Sequence, residues 1–343
     1  MIPAKRREPA PGVFRLVLPL PFPGLDEVNA YLLTGEDGAT LVDCGIWFPE
    51  AREDDHGWAL LVEALEVCGV SPNDVKRLVL THSHIDHYGM AGRVKEETGC
   101  EIVMQKEGDA ELDVLRDPDR HRRELRQTYA DHGVHDQDEL EELTKYEDWR
   151  GFIHSVVDAD RWLDGDESLE IGTRRWDLVY TPGHARSHIC LFCEEEKLLI
   201  SGDHLLGSIT PHIDFRRGDH DPLGDFLDSL ERVEKLEPRI VLPGHGRPFA
   251  DGAESARSTA RHHERRLGAI LQVVRRQACN ADHITNEIFG STLLNFQKRL
   301  ALGEALAHIH YLRLKGEIER YQNDDGDWMY KKASRRAVQE VDE

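Results

Sequence analysis

The sequence predicts an α/β chain, and three observations carry the prediction. Short runs of branched apolar residues recur up to Phe249, and several end in a turn bearing histidine or aspartate. Between them lie stretches with apolar residues three and four apart, the spacing of a helix with one buried face. After Phe249 the strand pattern gives way to helical runs and a closing hairpin. At 343 residues, with 39% apolar and 31% charged side chains, the chain can hold a large core and a smaller second module.

Residues 13–20 alternate apolar and polar, a strand that Pro21-Phe22-Pro23-Gly24 should break. Residues 28–34 and 39–44 are two more strands, with Gly35-Glu36-Asp37-Gly38 as the hairpin turn between them. Helical spacing at Trp58, Leu61 and Leu65 marks residues 57–68, which stop before Gly69. Residues 75–80 form a short apolar strand, 89–98 a helix ended by Gly99, and 101–104 a further strand.

Residues 106–162 read as a helical insertion without strand signals. Positions 106–170 hold 21 acidic and 9 basic side chains, and Leu112, Leu115, Leu125 and Tyr129 recur at heptad-like positions. Two readings stay open. One is a lid, with Tyr129, Tyr146, Trp149 and Phe152 lining a substrate channel; the other is a solvated helical excursion. His121, His132, His135 and His154 are expected mostly at the surface.

Further on, residues 176–181 make a strand and 222–236 an amphipathic helix ended by Pro238. Helices at 254–276, 284–290 and 299–315 precede strands at 318–322 and 328–331, which flank a turn at Asp325-Gly326. The pattern divides the chain into a domain of residues 1–252 and a module of residues 253–343.

The formal net charge of −22 favours solubility and repels polyanions at long range, which speaks against a nucleic-acid partner. The module is nearly neutral, with 15 basic and 13 acidic side chains. Cys190 and Cys193 form one C-x-x-C in an apparent strand, where an odd offset sends them to opposite faces. Without a second such pair, all six cysteines are expected as reduced, mostly buried thiols. No apolar run approaches the roughly 18 residues of a membrane span. Lys5, Arg6 and Arg7 are not followed by an apolar segment of the secretory kind, so a cytoplasmic protein without a membrane partner is expected.

Chemistry concentrates in Thr81-His82-Ser83-His84-Ile85-Asp86-His87-Tyr88-Gly89. Four metal-type ligands fall within six residues on a strand-to-helix loop, where the backbone can turn several of them toward one point. Three later segments repeat the theme of apolar run, turn and ligand. They are Thr181-Pro182-Gly183-His184, Ser201-Gly202-Asp203-His204 and Pro243-Gly244-His245-Gly246.

The pattern His-x-His-x-Asp-His resembles the signature of the metallo-β-lactamase superfamily, and the three later segments follow in that family's order. The resemblance implies an αββα sandwich. It also implies that His82, His84 and His184 hold one metal, that Asp86, His87 and His245 hold a second, and that Asp203 bridges them. A nitrogen-and-oxygen set suits two zinc ions per chain, with iron or manganese as substitutes. Aspartate at position 203, where the zinc β-lactamases use cysteine, makes the site more similar to the thioesterase and nuclease branches. Histidine at position 84, not an acid, argues against the flavodiiron branch.

In the family a second histidine, here His188, commonly lies near the site without binding metal. It could donate to an oxyanion, orient a ligand, or simply pack at the start of the next strand. Asp43 is either a residue behind the ligands or a plain turn aspartate. His204 and His212 could line the pocket, and Arg216, Arg217 and His220 could meet an anionic substrate group. The closing helices and hairpin resemble a winged-helix module. Arg299, Arg313 and Lys315 are too few for a phosphate-binding stripe, so completing the fold or pairing subunits into a homo-oligomer fits it better.

The implied activity is metal-dependent hydrolysis by a dimetal-bound hydroxide, with Asp86 also orienting the nucleophile or passing a proton to the leaving group. Neither Ser83 nor Ser187 shows an evident base. A carboxylic thioester or ester, small or carrier-bound, as in acyl-coenzyme A or an acyl carrier, is the favoured substrate. The 42 positions from Asp203 to His245 cannot house the large extra domain of many RNA-processing relatives. A single-strand endoribonuclease is the runner-up. Lactone or phosphodiester hydrolysis fits the same chemistry, and a metal-free regulator is the reading from a different class.

Overall fold

The computed structural model describes residues 7–22, 24–48, 56–145, 150–215, 218 and 221–334. They fall into two compact units. The first comprises Met1–Arg116, Glu147–Pro211 and Ser229–Ala256; the second comprises Asp117–Tyr146, His212–Asp228 and Arg257–Glu343.

The first unit is built on two sheets. One has seven strands in chain order: β1 (Arg7–Ala10), β2 (Val13–Phe22), β3 (Leu25–Gly35), β4 (Gly38–Val42), β5 (Val75–Val79), β6 (Glu101–Gln105) and β7 (Arg161–Leu163). The first four pair antiparallel and the rest continue in parallel. The other has six: β8 (Glu167–Ile171), β9 (Arg174–Tyr180), β10 (Ile189–Cys193), β11 (Leu198–Gly202), β12 (Ile240–Pro243) and β13 (Phe249–Ala250). In this second sheet β11 and β12 run parallel, which brings their carboxyl ends side by side.

Strand alternation makes the layers. On β3, Val28, Ala30 and Leu32 join one apolar cluster, while Tyr31 and Leu33 join another. The Tyr31 side lies between the sheets, with Val42, Val79 and Val103 meeting Trp176, Leu178, Leu191, Ile200 and Leu242. The opposite face packs under helices His56–Val67 and Ala91–Thr98 through Leu61, Leu65 and Val94. On the second sheet, helix Pro222–Leu236 is tied down within this unit by Ser229 Oγ to the Pro182 carbonyl and by Arg232 Nη1 to the Tyr180 carbonyl. Period-two burial on the strands and one-sided burial on the helices give two sheets faced by helices.

Several expectations are corrected. Pro21 does not break the second strand, which runs on to Phe22 with a register shift past Pro19. β1 pairs only with Val13 to Arg15, so from Leu16 onward the prolines meet no ladder on that side. The loop after β5 is not followed by one helix. A single turn, Ile85–Tyr88, comes first, and Ala91–Thr98 follows it. Residues 106–162 do hold strand, because the first two residues of β7 add to the sheet edge beside β6. Phe152 packs edge-on against Phe22 at 5.3 Å. Tyr146, Trp149, Arg216, Arg217 and His220 lie outside the described residues.

The second unit is helical, with one hairpin. Pro118–Asp131 starts at Pro118 under an Asp117 cap, and Gln137–Leu143 starts under Asp136. Gly252–Arg276, which enters this unit at Arg257, is followed by Ala281–Phe289 and Asn295–Leu314. β14 (Ile318–Gln322) and β15 (Trp328–Lys332) close the chain as an antiparallel pair. Of the apolar residues expected on the buried side of the long helix, Leu302, Leu306, Ile309 and Leu312 are buried and Leu300 is only half-buried. Tyr129, expected along a channel, is also buried. So is His132, expected outside; the Tyr330 hydroxyl meets its Nδ1 at 2.8 Å. Among the described residues no helix is long and apolar enough to cross a membrane. The six cysteines are free thiols, five of them buried.

Candidate metal centre

All seven sequence-predicted ligands come together in the first unit, just past the carboxyl ends of four strands. β5 leads to His82 and His84, with Asp86 and His87 on the helical turn after them. β9 leads to His184, β11 to Asp203 and β12 to His245. They form two groups, His82/His84/His184 and Asp86/His87/Asp203/His245, each with its ligand atoms within 4.8 Å of one another. Asp203 joins the groups: its Oδ2 is 3.7 Å from His184 Nε2 and 3.3 Å from His245 Nε2, and its Oδ1 is 3.4 Å from His87 Nε2. Asp86 Oδ2 lies 3.1 Å from His245 Nε2. His82 Nε2 and His84 Nδ1 are 3.0 Å apart although β5 has already ended, so the turn and not strand alternation makes them converge.

Buried partners behind the ligands fix which ring nitrogen faces inward. Asp43 accepts from the Thr81 backbone N–H and the Thr81 hydroxyl, both at 2.8 Å. Having given its proton to Asp43, that hydroxyl accepts from His82 Nδ1 at 3.0 Å, which leaves the lone pair on Nε2. Asp43 also takes His87 Nδ1 at 2.8 Å, so His87 too presents Nε2. His245 Nδ1 donates to the Glu27 carbonyl at 2.8 Å. Asn29 holds the same loop by donating to the carbonyls of Pro243 and Gly246, and Tyr31 donates to the Pro243 carbonyl. One aspartate thus orients a ligand in each group.

His188 is fully buried beside Asp203. Its Nε2 accepts from the Asp203 backbone N–H at 3.1 Å and its Nδ1 meets the Thr181 hydroxyl at 2.8 Å. Gly202 and Gly244 are required by close approach. A Cβ on Gly202 would stand 2.7 Å from His188 Nε2; one on Gly244 would stand 2.2 Å from Asp203 Oδ1 and 2.8 Å from His87 Cε1. His204 is likewise fully buried, and burial pulls its pKa down to about 3. His212 belongs to the second unit.

Sequence reasoning missed Glu111. This buried carboxylate accepts from Ser83 Oγ at 2.7 Å, from the Arg186 backbone N–H at 2.8 Å, and from Ser187 Oγ. It therefore clamps the His82–His84 loop to the loop bearing His184 and His188. The two serines do have a carboxylate partner, contrary to expectation, yet one carboxylate shared among three donors is a clamp. Its only sequence signal is an acidic residue beside Leu112 on the buried side of helix Glu107–Arg116.

The electrostatics ask for positive charge. Burial opposes a charge on His87, but Asp203, Asp43 and Asp86 outweigh it and hold its pKa well above the usual imidazole range. Burial likewise opposes His245, yet Asp203 and Asp86 raise it to about 10. Burial would raise Asp86, but His87 and His245 pull it down to about 2. His82, buried and crowded by His87, His84 and His184, is pushed well below the ordinary value. Three carboxylates, Asp203, Asp43 and Asp86, thus draw protons onto two imidazoles. His87 Nε2, His245 Nε2 and Asp203 Oδ1 are buried without a hydrogen-bond partner among the described residues. Divalent cations would satisfy those atoms and replace those protons, so the residues present fit the metals that the donor set suits.

Fold and site together define the class. Residues 23–245 match the metallo-beta-lactamase superfamily, and residues 267–333 match the metallo-beta-lactamase-like C-terminal domain. The chain belongs to the metallo-beta-lactamase superfamily and is a hydrolase of that type. Probable metallo-hydrolase YqjP of Bacillus subtilis (strain 168) is 27% identical over 333 residues, spanning 94% of this chain and 98% of its own. Hydroxyacylglutathione hydrolase GloC of Haemophilus influenzae is 28% identical over 189 residues, 53% of this chain and 73% of its own. A beta-lactamase domain protein from Burkholderia ambifaria has a solved structure that superposes with a TM-score of 0.85 at 30% identity. The match covers 97% of this chain and 95% of that one.

Proposed function

We propose that this protein is a binuclear zinc hydrolase of carboxylic thioesters or esters, acting on acyl groups carried by coenzyme A, a carrier protein or another thiol. One observation carries the binuclear reading: two ligand groups meet at a shared carboxylate, Asp203, whose two oxygens face histidines from both. His82, His84 and His184 would hold one cation, and Asp86, His87 and His245 would hold the other. When bound, such a pair supplies water activation at neutral pH and polarises the acyl carbonyl. Iron or manganese would serve the same donors.

The chain's own residues do the rest. Asp86 Oδ2, beside His245 Nε2, is placed to accept a proton from the attacking water and return it to the departing thiolate or alkoxide. Asp43 and Thr81 take up the Nδ1 side of His87 and His82, so that Nε2 of each ring faces inward, where a cation would replace the proton drawn onto His87. His188 positions Asp203: its Nε2 lone pair is taken by the Asp203 N–H, so it has no proton there for an oxyanion. Aspartate at position 203 and the similarity to GloC, named for hydrolysing an acylated glutathione, both support an acyl–sulfur substrate.

In this reading residues 1–252 carry the chemistry and residues 253–343 form an accessory module. Three helices followed by the β14–β15 hairpin support a winged-helix-like arrangement there. The test pairs elemental analysis with turnover of an acyl-coenzyme-A panel and a single-stranded RNA. Two zinc ions at the strand-end residues with thioester turnover is the expected result. RNA cleavage without thioester turnover would overturn the substrate class, and a protein that takes up no metal would overturn the mechanism.

A further inference from the structure

The second unit contains a buried histidine–carboxylate cluster that the hydrolytic site does not use. His263 lies on helix Gly252–Arg276, and Glu304 and His308 lie on helix Asn295–Leu314. Glu304 and His308 are four apart and so share one helix face. Ligand atoms of the three lie within 4.8 Å of one another, the same closeness found in the two strand-end groups. Both histidines are fully buried, and the Glu304 side chain is 12% exposed.

Either tautomer of His263 leaves a buried ring nitrogen of this pair unmatched. His308 Nδ1 lies 2.7 Å from the Glu304 backbone carbonyl, which can only accept, so Nδ1 carries the proton and Nε2 the lone pair. That lone pair faces His263 Nδ1 at 3.0 Å. If His263 Nδ1 donates to it, the lone pair on His263 Nε2 is buried, and Nε2 has no hydrogen-bond partner among the described residues. If the His263 proton sits on Nε2, two lone pairs confront each other at Nδ1 and Nε2. Both rings are fully buried, which opposes a second ring proton on either.

We propose that His263, Glu304 and His308 form a third divalent-cation site, of the zinc type, that staples the two long helices of the second unit together. The donor set is two imidazoles and one carboxylate from facing helices, a combination that holds zinc elsewhere. Facing nitrogens at 3.0 Å are close to the roughly 3.3 Å separating two ligands on a tetrahedral zinc, and they match the His82–His84 spacing. The His308 Nδ1 bond to a backbone carbonyl is the bond that ligating histidines make with their other nitrogen. Arg266 occupies Glu304 Oε1, which leaves Oε2, 3.6 Å from His212 Nδ1, for the cation. His212 or a water would complete four-coordination. Because Arg266 already neutralises the carboxylate, this site binds more weakly than the strand-end centre, and it is independent of the reaction assigned there.

Anomalous diffraction at the zinc edge, on crystals of the intact protein in excess zinc, is the first test. A peak bounded by His263, Glu304 and His308 is expected; no peak there, with the strand-end centre filled, would overturn the proposal. Equilibrium dialysis with zinc gives the solution counterpart. His308→Gln should bind about one zinc per chain fewer than wild type while its acyl-ester turnover is unchanged. Equal stoichiometry in the two proteins would count against the site.

Discussion

Two buried histidine–carboxylate clusters in one chain meet their charge requirements in opposite ways. At the strand ends, the carboxylates of Asp203, Asp43 and Asp86 outnumber the nearby fixed positive charges, and they pull protons onto His87 and His245. In the helical unit, a single carboxylate is already paired with Arg266, and burial strips protons from His263 and His308. The first cluster is built to be incomplete without dications. The second is nearly neutral by itself, and a cation there gains ligand lone pairs but little charge compensation. Ligand identity alone therefore does not rank metal affinity; the carboxylate-to-cation balance around the ligands does.

The most severe test of this contrast removes the shared carboxylate. Asp203→Ala should lose both strand-end cations and drop hydrolysis to background, while zinc at the helical cluster persists. Metal analysis of the variant decides it, and retention of two strand-end metals would show that Asp203 is not the link. Next in size comes the clamp. Glu111→Gln keeps the volume but sets an amide N–H against donors from Ser83, Arg186 and Ser187. A loss of about 10- to 100-fold in strand-end metal affinity is expected by zinc titration, with the fold retained by circular dichroism.

Melting of the metal-free protein against pH sharpens the comparison further. His245, raised from 6.5 to about 10, contributes stability that is complete below pH 6.5 and lost as pH climbs toward about 10. His308, lowered from 6.5 to about 3, works the other way: the unfolded chain binds its proton first, so stability falls as pH drops from 6.5 toward 3. The melting temperature should peak near pH 6.5, with the alkaline arm flattened by His245→Asn and the acid arm reduced by His308→Gln. An alkaline arm untouched by His245→Asn would contradict the charge imbalance. The smallest effect is expected from Arg266→Met. Freeing Glu304 from its guanidinium should tighten zinc at the helical cluster by roughly tenfold, readable by competition with a chromophoric chelator.

The strand-end centre was legible in the sequence because each ligand sits beside its own local signal. An apolar run predicts a strand, a glycine-bearing turn ends it, and the histidine or aspartate follows within a residue or two. Four such units in order are enough to collect His82, His84, Asp86, His87, His184, Asp203 and His245, whatever the details of packing. The same locality gave the helix at Pro222–Leu236 to the residue and the Ile318–Gln322 strand of the closing hairpin. It failed where a neighbour decides: Pro21 stays in β2 because β1 stops short, and Arg161–Leu163 becomes strand because β6 offers an edge.

By itself, then, the sequence picked out the seven candidate ligands, the hydrolase class and the succession of strands and helices, since these depend on residues close together in the chain. Tertiary structure alone decided what stands behind the ligands. Asp43, Asn29, Glu111 and the bond between His188 and Asp203 act across 15 to 214 positions of sequence, through hydrogen bonds that no spacing rule encodes. It also decided that His263 meets His308, residues 45 positions apart on two helices, because each looks like an ordinary helix residue until the partner helix packs against it. Burial then turns these contacts into chemistry: it fixes which nitrogen holds a proton, and whether a cation is needed at all.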